Sequence, residues 1–209
     1  MELSNIRKNF GIHSLVESGM PESPTFLLKA WLKEAGENNI PDFNAMVLST
    51  VSHHSKPASR IVLLKEVTEG GQLVFFTNYD SRKGQDISSN NQVAINFFWP
   101  ALERQVRVEG AVEKVSFEKS QEYFNSRPIE SRISAILSPQ SREVESLDEI
   151  RLKAQMMLKQ ENITMPENWG GYSVKPGYFE FWQGGANRLH DRIVYFLNNN
   201  EWKIKRLAP

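Results

Sequence analysis

The densest group of chemically capable side chains lies near the end of the chain, in Trp182-Gln183-Gly184-Gly185-Ala186-Asn187-Arg188-Leu189-His190-Asp191-Arg192. Both flanks, Tyr178-Phe179-Glu180-Phe181 and Ile193-Val194-Tyr195-Phe196, are rich in aromatic and β-branched residues. The pattern predicts strand, Gly-Gly turn, strand. Side chains alternate faces in an extended segment. Arg188, His190 and Arg192 are therefore expected on one face, with Leu189 and Asp191 on the other. Three cationic or near-cationic groups on one face repel each other. Either the strand edge is solvated, or something negative belongs there, and two forked guanidiniums suit a phosphate, a carboxylate or an electron-rich ring edge.

Two further stretches point to the same chemistry. In Tyr79-Asp80-Ser81-Arg82-Lys83-Gly84-Gln85-Asp86-Ile87, Asp80 or Ser81 is a natural helix cap, which puts Arg82 and Lys83 in the first turn. Cations are unfavourable there, and an anion docked on the exposed amides would reverse the balance. A short surface helix of indifferent charge is the alternative. Ser116 caps a helix from Phe117 to about Ser126, in which Tyr123 shares a face with Arg127 four residues on. Pro128 opens a second short helix carrying Ser131 to that side, so phenol, guanidinium and hydroxyl either form a phosphate set or decorate a kinked surface. His53-His54 sit in a turn without further ligand-type neighbours, and no metal is expected.

These residues need a scaffold. The chain has 209 residues, enough for a single domain, 1–209, with a proper core. Lys plus Arg and Asp plus Glu both number 25, so there is no global field for nucleic acid or an acidic membrane. Cysteine is absent, which removes disulfides, thiolate metal sites and a cysteine nucleophile. With no signal-type start and no membrane-length apolar run, a soluble cytoplasmic protein is expected. Residues 1–20 read as an irregular arm. Ser23-Pro24 opens a helix with Phe26, Leu27, Ala30, Trp31 and Leu32 facing inward and Gly36 at its end. Strands follow at 45–51, 58–65, 73–78, 93–99 and 105–112, the second an apolar run of the kind covered on both faces. Ser146 to Glu149 is a capping box, and its helix carries Leu147, Ile150, Ala154 and Met157 at core spacing. A last strand spans 202–207. Short turns between strands favour an antiparallel sheet or barrel with flanking helices, a mainly β, α+β fold. There is no Walker loop, dinucleotide glycine turn or nucleophile elbow. Arg60, Lys65, Arg82, Lys83, Arg127, Arg188 and Arg192 together imply a β-barrel-like protein that binds phosphorylated small molecules.

Six motifs extend that reading: Arg60-Ile61-Val62-Leu63-Leu64-Lys65, Ser81-Arg82-Lys83, Leu102-Glu103-Arg104-Gln105-Val106, Tyr123-Phe124-Asn125-Ser126-Arg127-Pro128, the Phe181-to-Arg192 stretch and the terminal Arg206-Leu207-Ala208-Pro209. In their order and spacing they resemble the pyridoxine (pyridoxamine) 5′-phosphate oxidase family. The resemblance implies a split β-barrel homodimer with FMN in two clefts at the subunit interface. It also implies oxidation of pyridoxine and pyridoxamine 5′-phosphates to pyridoxal 5′-phosphate, with hydride passing to the flavin and dioxygen leaving as hydrogen peroxide. Matched by position, Arg60 through Lys65, Phe76, Thr77, Arg82, Lys83, Gln105, Gln140, Ser141, Trp182 and Arg192 are flavin contacts. Lys65, Tyr123, Arg127 and Ser131 match the substrate-phosphate pocket. Arg188, Leu189 and His190 match the substrate's reacting face, with Arg188 and His190 in the catalytic roles. The arm segment Arg7-Lys8-Asn9-Phe10 resembles a substrate-covering lid, with Phe10 where a tyrosine is expected. A non-catalytic binder of FMN or pyridoxal phosphate on the same barrel is the alternative, since fold does not fix function.

Overall fold

The computed structural model describes residues 1–5, 9–160 and 162–209. In chain order the elements are α1 (Pro24–Glu37), β1 (Ala45–Val51), β2 (Pro57–Leu63), β3 (Glu66–Val67), β4 (Leu73–Asn78), α2 (Arg82–Ser89), β5 (Gln92–Trp99) and β6 (Arg104–Lys114). There follow α3 (Phe117–Ser126), α4 (Ile129–Leu137), α5 (Leu147–Met157), β7 (Trp169–Gln183), β8 (Asp191–Asn198) and β9 (Glu201–Arg206). The strand order is β2-β1-β5-β6-β7-β4-β3, with β8 on β7 and β9 on β8. The expected strand ladder and flanking helices are therefore present. No helix among the described residues is long and apolar enough to cross a membrane. The chain divides into two compact units, one of residues 1–48, 94–110 and 176–209, the other of residues 49–93 and 111–175.

In the first unit, α1 buries Pro24, Leu28, Trp31 and Ala35. Their 4-3-4 spacing is an inward helical stripe. It runs beside the face expected from sequence. Phe26 is 68% exposed, while Leu28 and Ala35 are fully covered. The competing candidates were all apolar, so periodicity alone could not choose between adjacent stripes. Gly36 is still helical, and the cap is Asn38. Trp31 is core as expected, edge-on to Phe181 at 5.3 Å and Trp99 at 6.5 Å. Along β7 and β8, Phe179, Phe181, Ile193 and Tyr195 alternate inward and are fully buried. The same alternation assigns Tyr178, Glu180, Trp182 and Arg192 to the opposite face.

In the second unit, β4 buries Leu73, Val74 and Phe75 and pairs antiparallel with the first half of β7. The Ser81 hydroxyl caps α2 by accepting the Gly84 N–H. A Cβ at residue 84 would lie 2.0 Å from the Tyr79 carbonyl oxygen, so this first turn closes only on glycine. Helices α3 and α4 close over a cluster of Phe124, Ile133, Ile163 and Trp169. Two expectations are corrected here. Strand β2 is not covered on both faces: Ile61 is 68% and Leu63 40% exposed, because both side chains lie on the wall of an open cavity. Helix α5 buries no residue fully, with Leu147 exposed and only Ala154 and Met157 lying against the cluster.

Phe124 is 0% exposed and holds down the helix pair that carries Tyr123, Arg127 and Ser131. Phe124→Ala is expected to cost about 3–5 kcal/mol of stability, read as a lowered denaturant midpoint. A loss below about 1 kcal/mol would show that the cluster does not anchor α3.

Candidate active site

A cavity of about 550 Å³ opens in the second unit. Four cations line it: Arg60 on β2, Lys65 just beyond that strand, Lys83 in the first turn of α2 and Arg127 at the end of α3. Ile61, Val62, Leu63, Phe76, Thr77, Tyr123, Ser131 and Gln140 complete the expected residues on its wall. Thus one cavity collects twelve of the residues singled out from sequence. Leu64 is buried away from the lining, and Arg82 and Ser141 are exposed outside it. Ser141 sits in the left-handed backbone region at φ 71°.

The charges in this cavity are only partly answered. Arg60 Nη1 donates to Thr50 Oγ1 at 2.7 Å, and that hydroxyl donates to Asp86 Oδ2 at 2.6 Å. Burial lowers the Arg60 pKa, an effect Asp86 opposes and the nearby Arg82 charge adds to. Lys83 has neutral partners: its ammonium donates to Gln140 Oε1 at 2.6 Å, Thr77 Oγ1 at 3.0 Å and Ser81 Oγ at 3.3 Å. No carboxylate among the described residues pairs with it. Burial, and secondarily the Arg60 charge, push its pKa down to about 8. Arg127 lies 4.9 Å over the Trp169 ring, and its buried Nη1 has no hydrogen-bond partner among the described residues. Buried polar groups are normally satisfied, so this orphan donor on the cavity wall marks a place for an acceptor. Phe76 stacks on Tyr123 at 3.9 Å and on Trp169 at 5.7 Å, giving an aromatic wall.

The first unit holds the C-terminal set in a geometry that corrects the sequence expectation. Residues 186–188 form a 3-10 turn, with φ of 53° at Asn187 and 65° at Arg188, and β8 starts only at Asp191. Arg188, His190 and Arg192 therefore do not alternate along one extended strand. The reason is local: the chain doubles back so tightly that a Cβ on Gly185 would lie 2.1 Å from the Leu189 carbonyl oxygen. Arg188 and Leu189 are exposed on this turn. A non-glycine residue at positive φ is strained, a feature that clusters at functional sites. The Gly185 N–H donates to His190 Nδ1 at 3.1 Å. A backbone N–H can only donate, so Nδ1 carries the lone pair and neutral His190 carries its proton on Nε2. Its ring lies 4.7 Å from Trp182, and Phe10 meets both edge-on, at 5.8 Å from Trp182 and 5.5 Å from His190. The arm is tied near this point by Glu103, which accepts the Gly11 and Ile12 N–H groups. Gln105 is half-buried on β6, and Arg7 lies outside the described residues. Asp86, Thr50 and Glu180 were not singled out from sequence. Only Glu180 left a trace, as a carboxylate between aromatics on the Trp182 face.

Residues 32–160 match the family model described as pyridoxamine 5′-phosphate oxidase, and residues 169–209 that of the pyridoxine 5′-phosphate oxidase C-terminal dimerisation region. The chain belongs to this oxidase family. It is similar to the pyridoxine/pyridoxamine 5′-phosphate oxidase of Cytophaga hutchinsonii, 48% identical over 99% of this chain and 98% of that one. It is also similar to that of Legionella pneumophila, at 46% over 99% and 97%. Two solved structures share the fold. PhzG from Burkholderia lata 383 superposes with a TM-score of 0.90 at 24% identity, covering 95% of this chain and all of that one, 100%. A pyridoxamine 5′-phosphate oxidase-related, FMN binding protein from Nostoc punctiforme gives 0.74 at 17%, covering 91% and 100%. The mainly β fold expected from the resemblance, in a family that uses FMN, is thereby borne out. The donor set fits that cofactor's phosphate: the Lys83 ammonium has neutral acceptors, Arg60 is distantly paired with Asp86 at 3.7 Å, and the buried Arg127 Nη1 has no partner among the described residues.

The Lys83 pKa carries a testable sign. Below about 8 the ammonium is charged and attracts an anion; above it the free cavity loses that charge. A phosphate monoester is already mostly dianionic above its second pKa of about 6. Its affinity should therefore fall about tenfold between pH 7 and pH 9, with proton uptake on binding at the higher pH. Calorimetry in buffers of different ionisation enthalpy reads both. An affinity flat across this range would remove Lys83 from the anion's contacts.

Proposed function

We propose that the chain is an FMN-dependent oxidase that converts pyridoxine 5′-phosphate and pyridoxamine 5′-phosphate to pyridoxal 5′-phosphate. Dioxygen is the final electron acceptor and leaves as hydrogen peroxide. The observation that carries the reading is the cavity of the second unit, where cations for two phosphates and an aromatic wall coincide with the family's positions. Full-length similarity to relatives named for this activity supports it. Bound FMN supplies the two-electron acceptor that no side chain can.

In this reading Lys83, Thr77, Gln140 and Arg60 hold the flavin phosphate. Their amine, hydroxyl, amide and guanidinium give charge-assisted bonds that hold a phosphate about twice as strongly as neutral ones. Leu64 packs behind this wall, Arg82 adds charge from outside, and Ser141 follows Gln140 in the same loop. Lys65, Tyr123, Arg127 and Ser131 hold the substrate phosphate, and the orphaned Nη1 of Arg127 finds its acceptor there. Gln105 from β6, and Trp182 and Arg192 from the C-terminal set, contribute to the flavin. Arg188 and Leu189 cover the substrate ring, with Arg188 orienting it for transfer. His190 donates from Nε2–H to an electron-rich ring substituent, a donor's role and not a base's. Phe10 belongs to the arm that covers this side, and the family resemblance assigns Arg7 to the substrate. The protein acts as a homodimer with flavin clefts at the subunit interface, a reading supported by the description of residues 169–209 as a dimerisation region. A cytoplasmic location suits a chain without cysteine.

Pyridoxamine 5′-phosphate added to the FMN-loaded protein in air should give pyridoxal 5′-phosphate and peroxide in equal amounts. A yellow protein that yields neither would leave a binder in place of an enzyme. Arg188→Ala should keep FMN affinity within about threefold yet lower kcat on the order of hundredfold, the size of effect seen on losing one donor from a reacting centre. Unchanged turnover would take Arg188 out of the catalytic role.

A further inference from the structure

Glu180 is a carboxylate on the aromatic strand β7, only 2% exposed. Its Oε1 accepts from Arg192 Nε at 2.8 Å and its Oε2 from Arg107 Nη1 at 3.0 Å. The Tyr178 hydroxyl adds a bond to Oε2 at 3.3 Å. Burying a carboxylate is unfavourable unless its charge is paired and its oxygens are bonded, and here both conditions are met. The register explains the pairing. Trp182 stands opposite Arg192 and Glu180 opposite Val194, so Glu180 and Arg192 are diagonal neighbours on one face, within reach of long side chains.

Arg192 is gripped a second time. Its Nη1 donates to the Ala208 carbonyl at 3.0 Å, and its own carbonyl accepts the Leu207 N–H at 2.9 Å, fastening the tail alongside. With Nε and one hydrogen of Nη1 committed, the guanidinium plane cannot swing. Its other N–H groups have no partner among the described residues. A planar fork of fixed direction binds an acceptor without first losing rotamer freedom.

We propose that Glu180 and the Ala208 carbonyl act as a positioning pair for Arg192, locking its guanidinium in the orientation that receives the flavin. Neither group touches the flavin; both act through Arg192. The proposal rests on the reading of Arg192 as a flavin contact, and the variants separate the two.

The experiment is a double-mutant cycle on FMN affinity, measured by quenching of flavin fluorescence, with Arg192→Ala, Glu180→Gln and the combination. Glu180→Gln should weaken FMN on the order of tenfold in the natural chain, the consequence of losing a hydrogen bond to a charged group, and should have no further effect once Arg192 is alanine. Full additivity would overturn the proposal, because a purely structural glutamate would weaken both backgrounds alike. Should Glu180→Gln fail to fold, two milder changes take its place. Glu180→Asp keeps the charge that Arg107 pairs with, and a chain ending at Leu207 removes Ala208 and Pro209, and with them the carbonyl that Arg192 donates to. Each should weaken FMN severalfold with Arg192 present and leave the Arg192→Ala protein unaffected. No change of affinity in the natural chain from either would overturn the proposal. If Arg192→Ala itself leaves FMN affinity unchanged, Arg192 is no flavin contact, and the reading beneath the proposal falls with it.

Discussion

A buried ammonium with no carboxylate partner among the described residues sets the terms for the second unit. Lys83 is 9% exposed, and its three recorded acceptors are neutral oxygens. Desolvating a charge is expensive unless it is paired and bonded, and burial accordingly lowers the Lys83 pKa. The surroundings explain why the arrangement persists. Gly84 lets the first turn of α2, which carries Lys83, close against Tyr79. Ser81 fixes the cap, Thr77 comes from the end of β4, and Gln140 reaches in from the loop after α4. The apolar core of β4 and the Phe124 cluster hold these elements still. A site so built is destabilised when empty and relieved by a dianion, which is how preorganisation converts folding energy into affinity.

The first unit solves a different problem, the aiming of side chains on a short turn. Backbone constraint does most of it. Gly185 allows the doubling-back, its N–H sets the His190 tautomer, and Arg188 is held in left-handed backbone. Paired charge does the rest, with Glu180 holding Arg192 from β7. The aromatic contacts of Phe10, Trp182 and His190 limit how those rings can move.

Much of this was legible in the sequence because it is local. The Ser81 cap, the Ser116 cap and the break at Pro128 depend on neighbours a few residues apart, and each falls where the spacing placed it. Tyr123, Arg127 and Ser131 share a cavity for the same reason. The failures are non-local. Whether Phe26 or Leu28 faces inward depends on what packs against α1, which no helical period reveals. Strand β2 looks like an interior strand by composition, but only the fold shows that Ile61 and Leu63 line an open cavity. At the Arg188 turn, β-propensity on both flanks hides a doubling-back that one glycine contact enforces. Asp86 and Thr50 act through partners 10 to 36 residues away, and the two arginines that pair with Glu180 lie 12 and 73 residues away, beyond any spacing rule.

The most direct measurement is FMN affinity together with thermal stability of the flavin-free protein, for the natural chain and for Lys83→Met. Methionine keeps the length and removes the charge. If the unpaired ammonium is the seat of the flavin phosphate, the variant should bind FMN at least about tenfold more weakly, while the flavin-free protein melts no lower, and even higher, than the natural one. Undiminished FMN affinity, or a flavin-free protein that loses stability along with its ligand, would contradict the claim that this charge is held in readiness for a phosphate.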